Sequence, residues 1–181
     1  MELVTPAPKY VGSYLHAVRG GWDWEEFYFG DAAPALVRAE RSTSSLLEAF
    51  RGDGRGLVRH ADGSMTPRLP SDFRFIWDGG FAGSINLRWQ PGTHALPPTC
   101  LGHIGYGVVP RKRRRGLATA ALKATLPLAW AQGLEYVEIV TDPQNLASQS
   151  VIKAAGGVFI EEYELPDASG GGRAYRWRID S

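Results

Sequence analysis

A chain of 181 residues with 44% apolar and 22% charged residues has the composition of one ordinary soluble domain with room for a real core. Its net charge of +1 supplies no global field toward nucleic acid or a membrane, and its single cysteine, Cys100, excludes an intrachain disulfide scaffold. No basic-then-apolar leader opens the sequence, and no run approaches the roughly 18 apolar residues of a membrane span, so the expectation is a cytoplasmic protein without membrane attachment, a single domain over residues 1–181.

Residues 2–5 read as a short first strand. Residues 7–19 carry Tyr10, Val11, Tyr14, Leu15 and Val18 at helical spacing and stop at Gly20 and Gly21. The aromatic segment 22–29 is expected to pack on that helix, with lining of a substrate entrance as the second reading. Another helix falls within 33–50, the glycine-rich stretch 51–56 marks a turn, and residues 60–70 read as loop. Two alternating runs, 73–77 and 82–88, flank Asp78-Gly79-Gly80 and predict a hairpin. A proline-rich loop, 90–99, leads to a strand over 101–109. Next comes a helix over 117–132, which Pro127 is expected to kink or end early. A strand over 136–141, a helix over 147–155, strands near 158–163 and 173–179, and a turn at 167–172 complete the chain. This predicts an α/β (α+β) protein with a mixed, mostly antiparallel twisted sheet of about six to seven strands flanked by helices.

The most informative stretch runs from Val108 and Val109 through Pro110, Arg111, Lys112, Arg113, Arg114 and Arg115 to Gly116, Leu117, Ala118 and Thr119. An apolar strand end, five basic residues and a Gly-x-small pair opening a helix present unpaired N–H groups beside positive charge. That combination attracts a phosphate or pyrophosphate. A solvated basic loop or a nucleic-acid patch is the competing reading; the neutral overall charge and the lack of a second basic run argue against nucleic acid.

Val109, Pro110, Arg113, Gly116 and Ala118 stand at the spacing of the acyl-CoA-binding signature, Arg/Gln-x-x-Gly-x-Gly/Ala, and the segment resembles that of the GNAT N-acetyltransferases. Downstream, residues 142–157, with Asn145 ahead of a short helix that ends in Gly156-Gly157, resemble the later block of the same family. The stretch 102–106 and the C-terminal strand are also similar to a group of bacterial predicted acetyltransferases without an assigned substrate. The likeness runs from about residue 73 to 179.

The resemblance implies the GNAT fold, acetyl-CoA as co-substrate, no metal, and direct transfer of an acetyl group to a primary amine, with a small molecule preferred as acceptor. It also implies that Val108 and Val109 splay from the neighbouring strand to pair with the pantetheine arm. The loop from Arg113 to Thr119 (Arg113, Arg114, Arg115, Gly116, Leu117, Ala118 and Thr119) would hold the pyrophosphate, while Asn145 and Ser148 would contact the arm and its thiol end. Asn145 serves equally as a helix cap. Many members place a Tyr acid on the helix after the Asn; this chain has Ile152 there, so Ser148 and Tyr106 are the substitutes. For the base, His103 is the first candidate and a structural histidine its equal alternative. Glu138 is the second candidate, or a solvent-facing side chain; His94 and Cys100 read as surface and packing residues. A non-catalytic acyl-CoA sensor of the same fold is the alternative function, and homodimers are common among such relatives.

Overall fold

The computed structural model describes residues 1–22, 39–60, 62–169 and 171–181. The segment 23–38, which holds most of the aromatic run and the start of the helix expected within 33–50, lies outside the described residues, as do residues 61 and 170. Strands β1 (Glu2–Val4), β4 (Ser71–Trp77), β5 (Phe81–Arg88) and β6 (Ile104–Val108) form one antiparallel sheet in the order β1-β4-β5-β6. Strands β7 (Tyr136–Thr141), β8 (Val158–Glu164) and β9 (Arg173–Asp180) form a second in the order β7-β9-β8. The seven strands of these two sheets match the predicted count.

Among the described residues the main chains of the two sheets join at one place. Gly102 and Ile139 form an isolated bridge, and the His103 N–H donates to Glu138 O at 2.7 Å. Gly102 is held at φ +77, and a Cβ there would sit 2.7 Å from Glu138 O and 3.1 Å from Ile139 Cα. Only glycine combines that backbone twist with so close an approach. This junction shortens the predicted 101–109 strand: regular pairing begins at Ile104, after the left-handed residue.

Helices α1 (Pro8–Arg19) and α2 (Thr43–Ala49) cover one face of the four-stranded sheet. Tyr14 stacks on Phe75 at 5.1 Å, Phe50 on Phe73 at 4.8 Å, and Phe81 meets Phe75 edge-on at 4.9 Å, with Trp22, Val11, Leu46 and Val109 closing the cluster. Helices α3 (Leu117–Ala131) and α4 (Leu146–Ala154) join the opposite faces of both sheets in a second core of Ile85, Leu87, Ile104, Leu122, Val137, Ile139, Ile152 and Trp177. The alternation of buried residues along β7 (Val137, Ile139, Thr141) follows directly from its period of two.

Two expectations are corrected. Helix α3 does not end early at Pro127 but continues to Ala131. Lys123, whose carbonyl would have received the missing N–H, is exposed like Pro127 itself, so that carbonyl stays hydrated while Leu122, Thr125 and Ala129 remain buried. Residues 60–70 are not simply loop. Strands β2 (Leu57–Arg59) and β3 (Met65–Pro67) pair there across a turn in which Asp62 accepts from the Ser64 N–H at 2.9 Å and Ser64 Oγ at 2.6 Å. The same Asp-Gly-Ser that suggested a loop is a hairpin turn, and its two three-residue strands alternate too briefly to stand out from the polar residues around them.

Candidate active site

From β6 the chain enters a single 3-10 turn (Pro110–Lys112), passes Arg113 in extended form and Arg114 at φ +60, and reaches Gly116 at φ +74, the N-cap of α3. No side chain caps this helix; its first internal bond is Ala120 N–H to Gly116 O at 3.0 Å. The amides of Leu117, Ala118 and Thr119 therefore have no intrahelical acceptor, and the positive end of the helix dipole lies at an exposed glycine with nothing within 4 Å of its absent Cβ. Free N–H groups at the positive end of a helix dipole are an arrangement that suits an oxyanion.

The basic side chains divide between structure and solvent. Lys112 donates to the carbonyls of Asp78 and Gly80 in the β4–β5 turn, and Arg115 Nη2 meets Asp78 Oδ2 at 3.0 Å. Arg113 Nε donates to Val108 O at 3.0 Å, bracing the end of β6. Arg111 and Arg114 are exposed. Asp78, read from sequence as a turn residue only, thus anchors the loop. Its partners lie 34 and 37 positions away, beyond the reach of any local pattern.

Beyond the junction β6 and β7 belong to separate sheets, which leaves an edge of each unpaired among the described residues. Val109 N–H donates to Ala82 O, and Arg88 N–H to His103 O, both at 2.9 Å. Odd-numbered residues of β6 therefore turn their main chain toward β5, and the even-numbered Tyr106 and Val108 turn theirs into the gap between the sheets. Val109 itself is buried in the aromatic core.

Tyr106 crosses this gap to α4. Its hydroxyl lies 2.9 Å from Ser148 Oγ and 3.2 Å from Ser148 O. Since the carbonyl can only accept, the phenol donates to it and the Ser148 hydroxyl donates to the phenol oxygen. Burial pushes the Tyr106 phenol up to about 12. Asn145 accepts the Ser148 N–H at 3.0 Å and is the N-cap of α4, while Ile152 is fully buried in the core.

His103 is completely buried. Its Nδ1 accepts the Glu138 N–H at 2.9 Å, so the proton sits on Nε2, which donates to His94 O at 3.1 Å. Both ring nitrogens are thereby committed to main chain, and burial lowers its pKa. Glu138 points to the other face of β7 from the core, where Oε1 accepts from Arg178 Nη2 at 3.1 Å and Oε2 lies 3.9 Å from Arg176 Nε. His94 is partly exposed, its Nδ1 accepting the Glu135 N–H at 3.3 Å. The Cys100 thiol is pushed up by burial, away from the thiolate a nucleophile needs.

The family model for the GNAT acetyltransferase domain matches residues 15–158. The chain belongs to this family. As a GNAT protein it is an acyl-CoA-dependent N-acetyltransferase. No curated protein sequence matches the chain, but solved structures share its fold. A Vibrio cholerae protein described as a ribosomal-protein-serine acetyltransferase is 13% identical over 99% of this chain and 92% of its own, with a TM-score of 0.64. The microcin C7 self-immunity acetyltransferase MccE, solved with acetyl-CoA and AMP, is 16% identical over 99% and 91%, also at 0.64. The ribosomal L7/L12 α-N-protein acetyltransferase RimL, solved with coenzyme A, is 13% identical over 98% and 92%, at 0.63. The GNAT architecture thus covers both halves of the molecule, and no helix among the described residues is long and apolar enough to cross a membrane.

Proposed function

We propose that this GNAT protein transfers an acetyl group from acetyl-CoA directly to a primary amine, in the cleft between β6 and β7. The observation that carries the reading is a juxtaposition. An uncapped helix end at Gly116 stands at one end of the unpaired edge of β6, and the Tyr106–Ser148 pair stands on that strand two residues below Val108. The pyrophosphate would take the amides of Leu117, Ala118 and Thr119, with exposed Arg114 nearby. The pantetheine amides would pair with the main chain of Tyr106 and Val108, which brings the thioester to the Tyr106 phenol.

In the reaction the amine nitrogen forms a bond to the thioester carbonyl carbon, the C–S bond breaks, and the sulfur leaves with a proton. Tyr106, which keeps its proton well above neutral pH, would turn its O–H from the Ser148 carbonyl to that sulfur and regain the proton from water, while the Ser148 hydroxyl supports the phenol oxygen. His103 offers no free lone pair and is assigned a holding role, and Glu138 is engaged by two guanidinium groups. The amine therefore attacks as its free base and passes its proton to water. The acceptor is a primary amine, of a small molecule or of a protein terminus; two of the structural neighbours carry ribosomal proteins in their names and one is a self-immunity enzyme.

Calorimetric titration of acetyl-CoA tests the cradle. Binding by the native protein and its loss in Gly116→Glu, which sets a carboxylate among the anion-seeking amides, is the expected result; no binding by the native protein would sink the reading. On an amine panel spanning spermidine and a short peptide with a free N-terminal serine, Tyr106→Phe should lower kcat by about 10²-fold, the lower end for a positioned proton donor.

A further inference from the structure

One buried polar atom in the first sheet has no partner that the fold explains. Asn86 on β5 is 8% exposed, and its Oδ1 has no hydrogen-bond partner among the described residues. A buried acceptor left unpaired is costly and rare. Tyr14 carries another such atom, but inside the closed aromatic cluster under α1. Asn86 lies on the same face but opposite Gly105 on β6, the strand that carries the free edge of the cleft.

Its register fixes which side of the sheet it serves. Asn86 lies opposite Phe73 on β4 and Gly105 on β6; Ser84 lies opposite Phe75 and Gly107. Phe73 and Phe75 belong to the core under α1, so Asn86 and Ser84 share that face. Ile85 and its partner Tyr106 face α3 and α4 instead. A hydroxyl donor on β6, Tyr106, thus stands on one side of the sheet, and an uncharged acceptor on β5, Asn86, stands on the other, opposite the neighbouring Gly105. Gly105, the residue between Asn86 and the cleft, contributes no side chain to fill the space.

We propose that Asn86 binds the acceptor: its Oδ1 takes an N–H of the incoming primary amine on the face of β6 opposite Tyr106 and Ser148. The assignment rests on the acetyl-transfer reading above and adds the side from which the amine approaches. An amide oxygen suits the step better than a carboxylate would. It accepts one N–H of a neutral amine and leaves the nitrogen lone pair free, whereas a carboxylate favours the ammonium ion, which has no lone pair to attack with. The thioester carbonyl is then met by the amine from the Asn86 side, and the departing sulfur by the phenol from the other.

Asn86→Leu, close in size and without the amide, separates this role from a structural one, with Asn86→Ser as a smaller second variant. The readings are the melting temperature, the Kd for acetyl-CoA, and KM for the peptide with a free N-terminal serine and for spermidine. Because Oδ1 has no partner among the described residues, the melting temperature of Asn86→Leu should hold or rise. Acetyl-CoA affinity should hold, and KM for the accepted amine should rise about tenfold in Asn86→Leu and less in Asn86→Ser. A clear drop in melting temperature in both variants would make the amide structural and overturn the proposal, as would an unchanged amine KM. Failure of the native protein to bind acetyl-CoA would remove the acetyl-transfer reading itself, and this proposal with it.

Discussion

His103 shows how a buried side chain reads differently once its partners are known. An imidazole on a strand beside an acyl site has the pKa of a general base, yet here the ring joins two main-chain segments, β7 through the Glu138 amide and the 90–99 loop through His94 O. Both bonds require the neutral Nε2–H form. Its pKa is lowered in the fold, chiefly by burial, from an ordinary 6.5. The unfolded chain therefore binds the extra proton first as pH falls. The stability it contributes is complete above pH 6.5 and is lost as pH falls from there toward the lowered value. Thermal unfolding of the native protein should show a melting temperature that declines below pH 6.5. In His103→Gln, which cannot titrate, that decline should flatten; an equal slope in both proteins would refute the assignment. The sequence offered base and structural histidine as equals because only the direction of the Glu138 amide, 35 residues away, separates them.

At the scale of elements, the junction at Gly102 decides where the sheet opens. The residue meets the second sheet at van der Waals limits in a left-handed conformation, and everything beyond it on β6 diverges from β7. Gly102→Ala adds a Cβ facing Glu138 O and a strained φ together. A cost of about 2 kcal/mol for the backbone strain corresponds to a drop of roughly 4–8 °C in melting temperature for a domain of this size; an unchanged value would show that the junction tolerates a side chain. Most elements were legible in the sequence because their periods are long and clean. The alternation of Val137, Ile139 and Thr141 gave β7, and the Asp78-Gly79-Gly80 turn gave the β4–β5 hairpin. The three-residue strands β2 and β3 were not, and neither was the passage of α3 through Pro127, which depends on that proline facing solvent.

At the scale of the whole molecule, the candidate site joins parts that no single window of sequence contains. Gly116 and the flanking cradle were visible as a strand-loop-helix pattern, because a helix start and a basic run are local events. The Tyr106–Ser148 contact spans 42 positions and the Asn86–Gly105 register spans 19, and both exist only once the sheet closes. Asp78 belongs to the same class. It lies on the β4–β5 turn, and through Lys112 and Arg115 it ties that turn to the loop ahead of α3.

That tie bears on how the protein responds to ionic strength. Two of the five basic residues face a carboxylate or carbonyls of their own chain, and a third is folded onto Val108 O. What remains to draw a polyanion is the main-chain N–H beside the exposed Arg111 and Arg114, and dissolved ions screen short-range N–H dipoles far less than free surface charge. Acetyl-CoA affinity should therefore change little between about 50 and 500 mM salt. Asp78→Asn, which frees Arg115 to act as a mobile cation while Lys112 keeps its main-chain carbonyls, should make the same affinity fall more steeply over that range. A steep fall already present in the native protein would mean that loose charge, not the shaped backbone, gathers the ligand.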